Sequence, residues 1–365
     1  MKRMILCIFM LMIFVPIAEN GDSEYKEMDN AVFFTYDEAL ELTLELLPAI
    51  KDFENLIEEL EEQLDDISDF RREMGEWLSY TTLTMLRRVE TEIERQIEIF
   101  YLEINMIELR AELTIRNAIS DIAIAEIDIE IMEAAIILAY QNLQRLTILH
   151  QHGRVSANEL RQAENLLNQK QMSLENLQLI MTIELEGLNH ILGQPPYQLT
   201  VVEFERTQPE LPEDLTHHIS QTVRQAPSIR QMQINTDRYD DEVTIHMDRC
   251  NYAPRRDCEA YIVLREAYER VALDQRLAER AMEAALRTAY NELLQLQIQE
   301  EAARLALTHA IEDYEIARIN HNFGRVTRFD IEIALNAVFI EAQAIERILY
   351  RQWLLEFILT NPVLL

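Results

Sequence analysis

Histidine is the side chain best suited to general acid–base or metal chemistry, but the spacing of the histidines here favours neither. His150 and His152 are two positions apart on a predicted helix and do not share a face. His217 and His218 are adjacent, which also directs them to different faces. We therefore predict that the chain is not an enzyme and has no catalytic residue, no metal site and no cofactor.

Acidic residues dominate the charge of the chain. Its 65 Asp and Glu against 33 Lys and Arg give a formal net charge of −32. Runs such as EELEEQLDD could bind cations, but at helical spacing we favour a solvated helix face. Because so negative a chain is repelled by nucleic acid and by anionic membrane surfaces, we expect neither as a partner.

The histidines and the acidic residues are predicted to lie mostly on long helices. No glycine or proline occurs in residues 76–152 or in residues 255–323. Ordinary globular helices average about 11–12 residues, whereas each of these runs could form a helix on the order of 100 Å long. Apolar residues within 50–67 step by three and four, as in a coiled-coil seam. The segment DIAIAEIDIEIM alternates like a strand, but it lies inside the first run, so we predict a helix with two apolar faces.

The N-terminus has the pattern of an export signal. Two basic residues precede an apolar run from Met4 to Val15. This run is shorter than the roughly 20 residues of a transmembrane helix. It is typical of a signal peptide over residues 1–18, cleaved near Ala18, with an uncleaved anchor as the alternative. We expect an exported protein whose residues 19–34 form a disordered lead.

One glycine-containing motif occurs twice, as HQHGRVS and HNFGRVT. Its glycine can adopt the left-handed conformation that ends a helix. The hydroxyl residue after it predicts an N-cap, and an acid three positions later completes a capping box. The two copies supply Gly153, Ser156 and Glu159, and Gly324, Thr327 and Asp330. Each copy of the motif predicts a tight hairpin between two long antiparallel helices.

The flanking sequence repeats as well. The pair Ala163 and Asn165 recurs as Ala334 and Asn336, at the same distance from the glycine. Each half therefore predicts a short helix, a medium helix, a very long helix, a hairpin and a return helix. We assign these halves to residues 35–193 and 213–365, joined by a linker over 194–212.

These motifs resemble the TolC-type outer membrane efflux protein family, over nearly the whole mature chain. The most specific are DEALELTLELLPAI, GRVSANELRQAENLLNQKQMSLENLQ with the later LNHILGQ, and GRVTRFDIEIALNAV. The resemblance implies an all-α, elongated fold of antiparallel long-helix hairpins, a tandem structural duplication that forms one protomer of a helical tunnel. It also implies a cell-envelope protein, outer membrane-associated or periplasmic.

The resemblance further implies a function and its site. Three protomers of four helical columns would form a homotrimeric, passive export or efflux conduit. Its partners would be a periplasmic adaptor protein and an inner-membrane pump or ABC exporter. Asp330 and Glu159 would be the aperture acids, although Ile333 stands where the family often has a second acid. The hairpin tips that dock the adaptor would be Gly153, Arg154, Val155, Ser156, Gly324, Arg325, Val326 and Thr327.

The chain departs from the family at two junctions, residues 71–82 and 246–261. There the family inserts the strands of a membrane-spanning β-barrel, which need about 9–11 residues each. Neither junction has room for two such strands, so we expect helix-to-helix turns and little or no β-barrel. A rival interpretation is a non-channel coiled-coil scaffold of the envelope derived from the same fold.

Two features keep alternatives open. Cys250 and Cys258 bracket the second junction and, in an exported protein, could form a local disulfide. Two unpaired thiols are an equal expectation, because the chain has so few cysteines. His150 and His321 occupy equivalent places before the two glycines. They could make a pH-sensitive contact, but polar residues that flank a turn are the favoured interpretation.

Overall fold

A computed structural model describes residues 32–74, 77–196, 198, 200–203, 214–252 and 256–361. The predicted signal peptide, residues 1–18, lies outside this part of the chain. So do the side chains of residues 248–252 and 256–258, and therefore both cysteine side chains of the second junction. The disulfide stays a prediction.

Helices form nearly all of the described chain. In chain order the elements are β1 (Val32–Thr35), α1 (Tyr36–Glu45), α2 (Pro48–Met74), α3 (Tyr80–Gln151), α4 (Ala157–Ile191), β2 (Thr200–Glu203), α5 (Leu215–Gln225), α6 (Pro227–Tyr252), α7 (Arg256–Asn322) and α8 (Arg328–Thr360). The order strand, short helix, medium helix, very long helix and return helix occurs twice along the described chain. The predicted all-α fold class is confirmed.

Two short strands lie at the end of the predicted lead and within the predicted linker. β1 and β2 pair in parallel, with Val32 opposite Thr200. Their β-branched and aromatic residues suit a half-buried pleated surface. Phe34 and Val202 pack against a cluster of fully buried residues, Ala39, Leu188 and Leu192.

At both junctions, helices lie on either side and none of the described residues forms a strand. At the first, α2 reaches Met74 and α3 begins at Tyr80, where the Ser79 side chain accepts from the backbone N–H of Thr82. At the second, α6 reaches Tyr252 and α7 begins at Arg256.

The helices form one layer of four columns. α3 has 72 residues and α7 has 67, which corresponds to about 110 Å and 100 Å. α3 contacts α2 and α4 on one flank and α6 and α8 on the other, whereas α7 contacts α5, α6 and α8. The order across the layer is therefore α2 with α4, then α3, then α6 with α8, then α7. None of the described helices has a stretch long and apolar enough to cross a membrane.

The alternating DIAIAEIDIEIM segment is helical, within α3, and it is apolar on two faces as predicted. Ile122 packs toward the cluster that holds Leu188 of α4. Within the segment, Ala123 and Ala125 are both buried, although two positions apart they lie on opposite faces of the helix. A central column needs an apolar face toward each neighbour, and this need explains why its pattern shows no single helical stripe.

Candidate functional site: the paired hairpin tips

Each hairpin begins with a Schellman turn, in which a glycine with positive φ satisfies the last carbonyls of the helix. Gly153 has φ 69°. Its N–H donates to the carbonyl of His150 at 2.9 Å, and the N–H of Arg154 donates to that of Leu149 at 2.9 Å. The turn at Gly324, with φ 68°, repeats both bonds at 2.8 and 2.9 Å. The predicted hairpins are confirmed.

Each return helix starts with the predicted capping box. The Glu159 carboxylate accepts from the Ser156 N–H at 2.8 Å, and the Ser156 hydroxyl accepts from the Glu159 N–H at 3.2 Å. Asp330 and Thr327 form the same pair at 2.8 and 3.3 Å. The backbone hydrogen bond from Ser156 lowers the pKa of Glu159, and the Thr327 hydroxyl is the main cause of the lowered pKa of Asp330. Both acids are therefore held as carboxylates in their own helix caps.

A histidine ring closes each hairpin. Nδ1 of His150 lies 2.8 Å from the carbonyl oxygen of Val155, and Nδ1 of His321 lies 3.1 Å from that of Val326. A carbonyl only accepts, so Nδ1 must carry the hydrogen in both rings. Our sequence reasoning left the role of these histidines open. The sequence did contain a signal for this shared hydrogen bond, because the spacing from histidine to valine is the same in both copies of the motif.

The two tips lie at the same end of the layer. The guanidinium carbon of Arg145, near the end of α3, lies 4.8 Å from the ring centroid of Phe329, near the start of α8. Arg145 also contributes to the lowered pKa of Asp330, after the two bonds from Thr327. The fold therefore brings together the two groups of tip residues that the sequence places far apart.

The tips present basic and aromatic groups on an otherwise acidic chain. Arg154 and Arg325 are exposed, and Phe323 is 71% exposed. The Arg325 guanidinium lies 5.7 Å from the Phe323 ring. Val155 and Val326 are half-buried. Such a surface suits a partner with acidic and apolar groups.

Except for His152, the remaining histidines lie apart from the hairpin histidines His150 and His321 in the sequence. His218 packs edge-on against Tyr290, with ring centroids 5.9 Å apart. Among the described residues, no group of three or more His, Cys, Asp or Glu side chains could hold a metal ion.

Our sequence reasoning missed a cluster around Arg116 that joins the two halves. Arg116 Nε donates to the Tyr36 hydroxyl at 3.0 Å, and that hydroxyl donates to Glu112 at 2.9 Å. The Arg116 guanidinium also lies 4.7 Å from the Trp353 ring and 4.4 Å from the Phe357 ring. Burial is the main cause of the raised pKa of Tyr36. The cluster fixes α1 and α8 on α3 and so holds the columns that carry the tips.

Three solved structures share this architecture. The outer membrane protein VceC from Vibrio cholerae is 12% identical, with a TM-score of 0.63 over 89% of this chain and 94% of that one. CusC, a protein that undergoes conformational changes during its folding and transmembrane channel formation, is 11% identical, with a TM-score of 0.66 over 94% of both chains. The Campylobacter jejuni CmeC outer membrane channel is 12% identical, with a TM-score of 0.62 over 94% and 88%.

These structures are TolC-type outer membrane channels, and the chain described above has their fold. The resemblance predicted from the repeated hairpin motifs is thus confirmed at the level of fold. No family model matches the sequence. No curated protein matches it either.

Proposed function

We propose that the chain is one protomer of a TolC-like export or efflux conduit in the cell envelope. The observation that carries this proposal is the fold match, which spans 94% of both chains in the comparison with CusC. In this proposal the protein forms the wall of a passive tunnel, and its residues take part in no reaction.

The conduit is a homotrimer in this proposal. A single chain forms an open layer whose edge columns, α2 with α4 and α7, each have neighbours on one flank only. Both edges expose apolar side chains: Met172, Leu179 and Ile183 on α4, and Leu294, Ile298 and Leu305 on α7. Three copies placed edge to edge would cover these side chains and close a ring, since a head-to-tail contact closes when its rotation divides a full turn.

The hairpin tips are the proposed docking site for an adaptor protein, which couples the conduit to a pump or ABC exporter. Their exposed arginines and Phe323 support this assignment. Glu159 and Asp330 are the proposed aperture acids. Each cap bond uses Oε2 of Glu159 or Oδ2 of Asp330, so the second carboxylate oxygen of each remains available to a neighbour.

Deletion of the gene in its host tests this proposal. We expect the deletion strain to accumulate dyes or retain exported proteins, and the wild-type gene to reverse the change. The variant Arg154→Glu/Arg325→Glu should fail to complement, although the protein is made and assembled at wild-type levels. Unchanged transport in the deletion strain would contradict the conduit, and full complementation by the variant would contradict docking through the arginines.

A further inference from the structure

The outer face of α2 carries an acidic stripe. Phe53 packs against Phe100 of α3, and Ile57, one turn on, is buried. Positions two residues after such residues lie on the opposite face of the helix. Every one of these positions is exposed. We define the acidic stripe as Asp52, Asn55, Glu59, Glu62, Asp66, Asp69 and Glu73. It lies along one open edge of the layer and contains no cation.

The other open edge carries an arginine stripe. On α7, residues such as Leu286 and Leu293 pack into the core, and an exposed line runs along the opposite face in steps of three and four. We define the arginine stripe as Arg270, Leu273, Leu277, Arg280, Ala284, Arg287 and Asn291. It contains no carboxylate and continues into the apolar pair Leu294 and Ile298.

Several charges on the inner columns form ion pairs across the layer. Between α3 and α6, for example, Glu98 binds Arg230 at 2.9 Å and Glu92 binds Arg238 at 3.2 Å. Within the described residues, the three arginines of the arginine stripe form no ion pair, and in the acidic stripe only Asp69 forms one, with Arg72.

The two stripes lie at overlapping heights in the layer. The contacts that fix these heights run from α2 through α3 and α6 to α7: Phe53 to Phe100 at 5.3 Å between ring centroids, Arg230 to Glu98 at 2.9 Å, and Thr236 to Gln275 at 2.8 Å. These contacts place Arg280 near the height of Asp52, and Arg270 near that of Glu62.

We propose that the acidic stripe of α2 binds the arginine stripe of α7 on a second copy of this chain. This inference rests on the proposed conduit and names the chemistry of its subunit contact. Two acidic stripes repel each other, and so do two arginine stripes, so charge selects the head-to-tail contact over a two-fold dimer. The apolar residues beyond the stripes supply most of the affinity, while the charges set direction and register.

Charge reversal tests the contact. Sedimentation velocity of the full chain in 0.15 M salt compares the wild type with Arg270→Glu/Arg280→Glu. A second variant, Asp52→Arg/Glu62→Arg, reverses the facing charges. The variant with all four substitutions restores opposite signs with the polarity exchanged. The matched control is Arg87→Glu/Arg110→Glu, which changes the net charge equally at exposed positions of α3, a column with neighbours on both flanks.

We expect each double variant to weaken association by about tenfold or more, which corresponds to about 1.4 kcal/mol. The fourfold variant should return to within about threefold of the wild type, and the control should associate normally. In 1 M salt the differences should shrink, because the screening length falls to about 3 Å. Circular dichroism should report unchanged helix content throughout.

Other outcomes overturn the proposal in distinguishable ways. A wild-type trimer that tolerates both double variants, or a fourfold variant no better than they are, removes the charged contact but leaves the conduit. A wild type that stays monomeric at every concentration removes both.

Discussion

Among the described residues, three glycines with positive φ follow the ends of helices: Gly153, Gly193 and Gly324. The space around each decides what a side chain there would meet. At Gly153 and Gly324, an added Cβ would have no neighbour within 4 Å. At Gly193, where φ is 64°, it would lie 2.8 Å from Cδ1 of Leu46. The tips therefore need glycine for backbone conformation alone, whereas Gly193 also permits close packing of α4 against the end of α1.

This difference predicts an order of stability among alanine variants. Gly153→Ala should lower the free energy of unfolding by about 1 kcal/mol, because a left-handed conformation disfavours Cβ. Gly193→Ala should cost more, since Leu46 must also move. Gly187→Ala is the matched control, a helix-interior position with open space, and should gain about 0.5–1 kcal/mol. Urea unfolding at one protein concentration measures all three, and a Gly153→Ala variant as stable as Gly187→Ala would contradict the assigned turn.

At the scale of elements, Trp353 is one of the buried side chains that join the two halves. It is 3% exposed on α8 and packs against Ile115 and Ile119 of α3. Its ring also stands edge-on to Tyr36, with centroids 6.4 Å apart. This contact joins the columns of α3 and α8 beside the Arg116 cluster and the ion pair of Arg347 with Asp128.

Replacement of Trp353 by alanine should lower the free energy of unfolding by about 3–5 kcal/mol, the usual cost of removing a buried aromatic side chain. The control is Trp77→Ala at the first junction, where the side chain is 82% exposed and the change should stay within about 0.5 kcal/mol. Guanidinium unfolding followed by circular dichroism compares the two. Equal effects would mean that α8 is not fixed to α3 through this residue.

The sequence predicted the long elements and the caps well, because the residues that determine them lie close together in the sequence. Breaker-free runs and three-four steps gave the long helices, and Gly153 with Ser156 and Glu159 gave the hairpin. The strands were missed because four residues carry little periodic signal, and because β1 is paired with β2 across the first half of the chain. The Arg116 cluster was missed because its members come from α1, α3 and α8, and no spacing rule links them.

At the scale of the whole molecule, the sign of the exposed charge differs between the two open edges of the layer. The chain carries a net charge of −32, yet one edge of the layer exposes arginines and the tips expose Arg154 and Arg325. Copies of so acidic a chain repel one another unless opposite charges meet. In the proposed contact, the two stripes and the apolar edges give the copies one favourable way to associate.

The most direct test of the conduit is an electron cryo-microscopy map of the assembled full chain. We expect three copies in a closed ring of twelve helical columns around a central path, with all hairpin tips at one end and α7 of each copy beside α2 and α4 of the next. A monomer, a two-fold dimer, or a bundle with no central path would contradict the account.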